Sequence, residues 1–318
     1  MASSLHLVYD WARRWSRMGV FATLLLVSAF NIFNTEISLT TQLTIALIAL
    51  LVGIPHGAID HLISIPRKPN NRFLAYILIY IVIAVIAGLL IATWNVNGFR
   101  AVVIMSALHF GFGDASFLNE RKDAYGKPRR SFLTESIYAI PAGFLPVVLP
   151  LTDSRTASAL KRIHPALLNW DGGAAKLIRN IVLILLILAL VIFTLSKKFD
   201  LVIDLLLLAA LSIFAPPLIA FATYFGFWHA LRHTARLVPK LEKSRNLADS
   251  GEWQKAITGA ITPGLYAVFG TLLLAGILMI TIPEKFSSSL LWSTLLIIWA
   301  LTVPHMISTA RFDLKVIK

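Results

Sequence analysis

Long apolar stretches follow one another along nearly the whole chain, and this recurrence constrains the fold more than any other feature. Most approach the roughly 20 residues that a helix needs to cross the hydrocarbon core of a bilayer. No polar linker separates them, so we expect one all-α, polytopic membrane domain over residues 1–318. The apolar stretches are Met18–Phe33, Gln42–Asp60, Phe73–Trp94, Phe99–Leu118, Phe132–Leu151, Leu177–Ser196, Leu201–Val238, Ala260–Pro283 and Ser289–Ala310.

The block Leu201–Val238 is too long for one spanning helix. Pro216 and Pro217 lie near its middle, and proline both removes a donor from the helical hydrogen-bond ladder and clashes with the preceding turn. We therefore divide the block into a short span, about Leu201–Ala215, and a second span, about Leu218–Val238. This division predicts ten spans in all.

The chain is strongly basic, with 29 lysines and arginines against 16 acidic residues. If the N-terminus is inside the cell, most of these basic residues fall in alternate loops, which ten spans place on the cytoplasmic side. The loop Arg121–Arg130 is a basic-rich member of this set. Basic charge that follows loop parity indicates membrane orientation and argues against nucleic-acid binding. We predict a multi-pass protein of the cell (inner) membrane with both termini in the cytoplasm.

Histidines stand out inside the predicted spans, where an ionisable residue is costly and is by default a functional hypothesis. By the predicted topology, five of the eight histidines fall in the cytoplasmic half of the bilayer at similar depth. Chance placement would scatter them. They are His56, His109, His229, His233 and His305.

The spacing of these histidines favours a metal site. His229 and His233 are four residues apart, so one helix face presents two imidazoles. Asp60 follows His56 at the same spacing, where its carboxylate can hold the far nitrogen of that imidazole. The chain has no cysteine, and imidazoles without thiolate suit Fe, Zn, Cu or Ni. The alternative, hydrogen bonding between helices, explains a shared depth and a paired spacing less well.

Several neighbours of the histidines are candidates for the surroundings of the site. Gly111 and Gly113 would let a substrate or a neighbouring helix come close, and small residues taken alone favour a helix contact. Arg232 either serves the site or snorkels to the cytoplasmic face. His305 lies at a similar depth in the membrane to the other four histidines, but its spacing in the sequence assigns it no role. The remaining candidates are Asp114, Tyr224 and Trp228.

Four motifs around these histidines resemble the Brp/Blh family of microbial integral-membrane β-carotene 15,15′-dioxygenases. They occur in the family's order and span most of the chain, whereas the first span and the segment Thr152–Lys176 carry none of them. The motifs are PHGAID (Pro55–Asp60), HFGFGD (His109–Asp114), FATYFGFWHALRH (Phe221–His233) and LTVPHM (Leu301–Met306).

The resemblance implies an enzyme that uses iron(II) and O₂ to cleave β-carotene at its central double bond into two molecules of all-trans-retinal. The iron ligands would correspond here to His56, His109, His229 and His233. A site buried among membrane helices would meet this hydrocarbon in the bilayer where it dissolves, and dry walls would protect oxygenated intermediates. An opsin is a candidate acceptor of the product.

Three other functions are compatible with the histidine pattern. A membrane di-iron desaturase or hydroxylase would also use a pair such as His229 and His233, but it usually needs more histidines than are in reach here. A bis-histidine haem protein could be built on the same helices. A transporter with histidine proton relays would need no metal. Metal stoichiometry and a haem absorption band would distinguish these functions.

Overall fold

The computed structural model describes residues 4–64, 71–281 and 290–316, and the regular secondary structure of these residues is entirely helical. The predicted all-α fold is therefore confirmed for the described chain. The α-helices are α1 (Leu5–Ile32), α2 (Leu39–Gly57), α3 (Asp60–Ser64), α4 (Asn71–Thr93), α5 (Asn95–Ala124), α6 (Phe132–Val147), α7 (Ala157–Ile163), α8 (Ala175–Leu195), α9 (Phe199–Phe214), α10 (Pro217–Thr223), α11 (Ala230–Leu237), α12 (Glu242–Asp249), α13 (Trp253–Thr281) and α14 (Leu290–Val316).

Short 3₁₀ and π segments complete the fold. The 3₁₀ segments are Pro150–Thr152, Ser154–Thr156, Pro165–Asn169 and Val238–Lys240, and the π segment is Tyr224–His229. The helix is interrupted between α9 and α10, where the backbone of Ala215 is extended with ψ of 152°. The two prolines therefore interrupt the helix as their chemistry predicts.

Seven helices of the described chain are long and apolar enough to cross a membrane. They are α1, α2, α4, α5, α8, α13 and α14. Helices α6 and α9 have 16 residues each, which is roughly 24 Å at about 1.5 Å per residue and shorter than the hydrocarbon core. The count of ten spans and the side of each terminus stay predictions. Four of the lysines and arginines between or after the predicted spans lie outside the described residues: Arg67, Lys68, Lys285 and Lys318.

The topology is tested by reporter fusions at Ser38 and Lys318. Loop parity places Ser38 outside the cell and Lys318 in the cytoplasm. A periplasm-dependent reporter such as alkaline phosphatase should therefore be active at Ser38 and inactive at Lys318, and a cytoplasm-dependent fluorescent protein should give the opposite pattern. The same answer at both positions would require an even number of spans between them and would contradict ten.

Helices α5 and α14 form the interior of the helical assembly. In their most apolar stretches, 67% and 61% of the residues are buried, against 17% in α4. Helix α4 exposes large apolar side chains, for example Leu78 and Ile79, and α8 does the same with Ile184 and Ile187. Contiguous exposed apolar surface of this kind suits lipid contact. The two central helices carry His109 and His305, so these histidines lie in the protein interior.

Glycines bring α5 and α6 into backbone contact. A β-carbon at Gly111 would overlap the carbonyl oxygen of Ala139, and one at Gly143 would overlap that of Ala107. Small residues permit such close approach between membrane helices. Gly111 therefore lies at a contact between helices and lets α5 pack closely against α6. Of the two roles considered from the sequence, helix contact and substrate approach, the first is observed.

Candidate metal centre

The rings of the five histidines from the predicted spans converge on one region between four parts of the chain. The pairwise distances between ring centroids, for eight of the ten pairs, run from 4.9 Å (His56–His233) to 6.2 Å (His109–His233). Residues that are far apart in sequence thus form a cluster. The contributing elements are α2 (His56), α5 (His109), the π segment with α11 (His229, His233) and α14 (His305).

An interrupted helix presents the histidine pair. The π segment Tyr224–His229 joins α10 to α11, and π segments are uncommon and frequently occur at functional sites. His229 ends this segment and His233 follows one turn later. Their ring centroids lie 5.5 Å apart with an angle of 32° between the planes. The pair therefore faces one region, as its spacing predicts.

Several ring nitrogens of the cluster lack a hydrogen-bond partner within the described chain. They are Nδ1 of His56, Nε2 of His109, Nε2 of His229 and both nitrogens of His233. Leaving a buried polar group unpaired costs about 1–3 kcal/mol. The Nδ1 atom of His109 differs, because it lies 3.2 Å from the hydroxyl of Thr309. A cation between the rings would give the unpaired nitrogens a partner.

Asp60 supports a different histidine from the one that the spacing predicts. Its carboxylate oxygens lie 2.9 and 3.1 Å from Nδ1 of His305, whereas Nδ1 of His56 has no partner among the described residues. The prediction that Asp60 holds His56 is wrong. Helix α2 ends at Gly57 and α3 begins at Asp60, so the two residues do not share one continuous helix. A carboxylate placed behind an imidazole fixes its tautomer and orientation.

The spacing of the rings fits a shared metal ion. With a metal–nitrogen distance of about 2.0–2.1 Å, two imidazoles on one ion have centroids roughly 4.5–6.5 Å apart, depending on the angle at the metal. The eight observed distances of 4.9–6.2 Å lie in this range, and they include five of the six pairs that His56, His109, His229 and His233 form. As the side chains stand, the described residues contain no group of three that could hold an ion. The fit therefore rests on ring spacing and on the unpaired nitrogens.

One side of the cluster borders a cavity of about 260 Å³. Its described lining includes His56, His109 and His305, and it does not include His229 or His233. The ring of Phe110 lies over His229, with centroids 4.3 Å apart. The cluster thus has an open side, formed by three imidazoles, and a covered side, formed by the pair from the π segment and α11.

Asp114, Tyr224 and Trp228 form a buried group beside the histidines. The indole Nε1 of Trp228 donates a hydrogen bond to the Asp114 carboxylate at 2.6 Å, and the Tyr224 hydroxyl donates at 3.4 Å. Both donors belong to the π segment, so Asp114 anchors this segment, and with it His229, to α5. Gly113 lies close by, because a β-carbon there would come within 3.7 Å of the His229 ring. These residues position ligand candidates and do not line the 260 Å³ cavity.

Arg232 is buried in an ion-pair network. It does not line the 260 Å³ cavity and does not reach the surface. Its guanidinium is 1% exposed, donates to Asp204 at 3.0 Å and to Ser16 at 3.1 Å, and lies 3.6 Å from the centroid of the Trp228 ring. The snorkelling alternative is therefore wrong. Arg17 of α1 also binds Asp204, with a nitrogen–oxygen distance of 2.6 Å.

Sequence reasoning missed two supports of the cluster. The burial of Asp204 could have been predicted, because an acidic residue alone in an apolar span needs a partner. The contact of Thr309 with His109 could not, since a threonine in a membrane helix commonly forms a hydrogen bond to the backbone of its own helix. Thr309 does so here as well, to the carbonyl oxygen of His305 at 3.0 Å.

Comparison with known proteins agrees with these motifs. The family described as β-carotene 15,15′-dioxygenase matches residues 47–313, a range that contains all five clustered histidines. A β-carotene 15,15′-dioxygenase of the uncultured marine bacterium 66A03 is 26% identical over 276 residues, covering 82% of this chain and 90% of that protein. No solved structure matches. Because the family match extends over most of its length, the chain belongs to the β-carotene 15,15′-dioxygenase family.

Proposed function

We propose that this protein cleaves β-carotene with O₂ at the central 15,15′ double bond and releases two molecules of retinal. The observation that carries the proposal is the convergence of five imidazoles, three of which line a cavity between membrane-type helices. Family membership supports the substrate and the bond, since both are named in the family's description. The position of the histidine cluster between membrane-type helices supports a reaction within the bilayer, where the hydrocarbon dissolves.

Four histidines would hold a single iron(II) ion in this reaction: His56, His109, His229 and His233. Bound iron(II) supplies the electron transfer by which O₂ can react with a closed-shell hydrocarbon, which no side chain provides. The residues contribute position. Thr309 contacts the imidazole of His109 directly, whereas Asp114 anchors the π segment that carries His229 through Trp228.

The surrounding residues would bind the hydrocarbon and exclude water. The 260 Å³ cavity is lined by Leu50, Phe110, Phe225, Ile298 and Leu301 besides the histidines. Apolar walls favour a polyene and keep water from reactive species. No nucleophilic residue is required, because the substrate is not activated by covalent attachment to the protein.

Expression in β-carotene-producing cells tests the function directly. The cells should lose their colour and accumulate retinal, and the purified protein should hold about one iron per chain, because one imidazole cluster closes around one ion. Two irons per chain would favour a desaturase-type enzyme, and a Soret band would favour a haem protein. Unchanged β-carotene with no bound metal would favour a transporter and contradict the proposal.

Asp60 and His305 are expected to act as one unit. Asp60→Asn and His305→Ala should each retain iron, because neither residue belongs to the proposed ligand set. Each should lower the rate of retinal formation, because His305 lines the cavity beside the proposed ligands and Asp60 holds its ring. Since Asp60 does not contact His56, added iron(II) should not restore Asp60→Asn. The double variant should be no slower than His305→Ala alone. If His305→Ala loses its iron while one of the four proposed ligand variants retains it, His305 belongs to the ligand set.

A further inference from the structure

An apolar cavity of about 170 Å³ adjoins the cavity at the histidines. The two share five lining residues, which are Leu50, Phe110, Phe225, Ile298 and Thr302. The apolar cavity extends along α5 to Phe99 and along α14 to Leu295. Each of these residues precedes a clustered histidine on its helix by ten positions, which is roughly 15 Å at about 1.5 Å per residue. The apolar cavity therefore leads away from the cluster over a defined length.

The far end of this cavity is lined by the segment that carries none of the family motifs. Thr156, Ala159 and Leu160 line it and are 3%, 2% and 5% exposed. The Thr156 hydroxyl donates a hydrogen bond to the carbonyl oxygen of Pro150 at 2.6 Å, so this polar group is already paired within the wall. These three residues are called the end wall below.

A change in polarity limits the apolar cavity at the end wall. The apolar cavity shares Thr156, Ala159, Pro217 and Leu218 with a third cavity, and the lining of that third cavity includes Asn31, Glu36 and Arg155. Transfer of a hydrocarbon ring into such surroundings would lose the favourable burial of apolar surface. A hydrocarbon in the apolar cavity therefore has its limit at the end wall.

The opposite side of the histidine cluster is less enclosed. There the cavity is lined by Ala58, Tyr80 and Leu301, and Leu301 is 36% exposed on the outer side of α14. The Tyr80 hydroxyl donates to the carbonyl oxygen of Leu301 at 3.3 Å, across the contact of α4 with α14. The cluster thus lies between an apolar arm, which ends at the end wall, and a side that reaches the lipid-facing surface.

We propose that the apolar arm receives one ring-bearing half of the carotenoid, ring first, and that the end wall sets which double bond reaches the histidines. This inference rests on the proposed function. β-Carotene has two equal halves, so one arm of fixed length is sufficient to select the central bond. The other half can then extend towards the bilayer without being measured. Ala159 and Leu160 are thereby specificity-determining residues.

Substitutions in the end wall test the proposal with β-carotene and with β-apocarotenals of several lengths, which carry a single ring. With β-apocarotenals, Ala159→Phe shortens the arm, so the single ring-containing product should become shorter than retinal, whereas Leu160→Ala lengthens the arm and should make that product longer. With β-carotene, off-centre cleavage leaves one ring on each fragment, so either variant should form one fragment shorter and one longer than retinal. For Ala159→Phe, kcat/KM for retinal formation should also fall by roughly 10- to 200-fold, as steric exclusion in apolar pockets does. Chromatography with mass detection identifies the products.

Ala157→Phe is the matched control. It makes the same change on the same helix at an exposed position outside the three cavities, and it should form retinal at the wild-type rate. If Ala159→Phe does not fold, Leu160→Ala decides by itself. Retinal as the sole ring-containing product of every folded end-wall variant would overturn the inference. Failure of the wild type and of Ala157→Phe to cleave β-carotene would instead overturn the proposed function.

Discussion

Replacing His229 by alanine is expected to remove both bound iron and retinal formation, and added iron(II) should restore neither. His229 is 1% exposed and its ring lies 5.2 Å from that of His56 and 5.4 Å from that of His109, so it faces two other proposed ligands at once. Its Nε2 atom has no hydrogen-bond partner in the described chain. An alanine there cannot donate a lone pair, and Phe110, which covers the ring, hinders a replacement ligand from solvent.

The same result is expected for His56→Ala, His109→Ala and His233→Ala. The measurement is metal content by elemental analysis together with retinal formation in cells and in purified protein. His6→Ala is the matched control, because the His6 ring packs against Tyr125 near the start of α1 and should keep both iron and activity. A His229→Ala protein that folds, retains one iron per chain and forms retinal would show that the ligand set is wrong.

Asp204→Ala is expected to cause the largest loss of stability of any single substitution outside the histidine cluster. Asp204 is fully buried and binds Arg17 of α1 and Arg232 of α11. Removing one partner of a buried ion pair leaves the other charge uncompensated, which costs about 3–5 kcal/mol. The loss should appear as a marked fall in the thermal unfolding temperature of the detergent-solubilised protein and in the amount recovered from membranes.

The control for this substitution is Asp249→Ala, which removes an exposed carboxylate from α12 and should change stability by less than about 0.5 kcal/mol. Arg232 is adjacent to His233 and stacks on Trp228, which anchors the π segment. Asp204→Ala should therefore also lower the iron content of the protein that does fold. If Asp204→Ala unfolds at the wild-type temperature, the network contributes nothing measurable and its supporting role is wrong.

The location of the helices could be predicted because it depends on local properties. Length and apolarity determine whether a segment can satisfy its backbone inside a membrane, and both can be read without knowledge of packing. The break at Pro216 is equally local, because proline disrupts the helix through its own covalent structure. Each of the ten predicted spans contains helix in its described part for this reason, although seven of the described helices meet the length and hydropathy expected of a span.

The surroundings of the histidines could not be predicted to the same degree. The spacing between His56 and Asp60 suggests a contact only if the helix between them is continuous, and the end of α2 at Gly57 removes that condition. Asp60 then meets His305, which is 245 residues away in sequence. Arg232 is similar, since its burial depends on where α1 and α9 pack against α11.

The sequence alone determined an all-helical, membrane-type chain, the family to which it belongs and the five histidines that cluster. These follow from residue type and from spacing within single helices, which act over a few residues. The tertiary structure decided which carboxylate supports which histidine, which side of the cluster is open, and that Thr156, Ala159 and Leu160 line the end of an apolar cavity. Those features depend on contacts between helices distant in sequence, and such contacts are set by how side chains interlock when the helices pack.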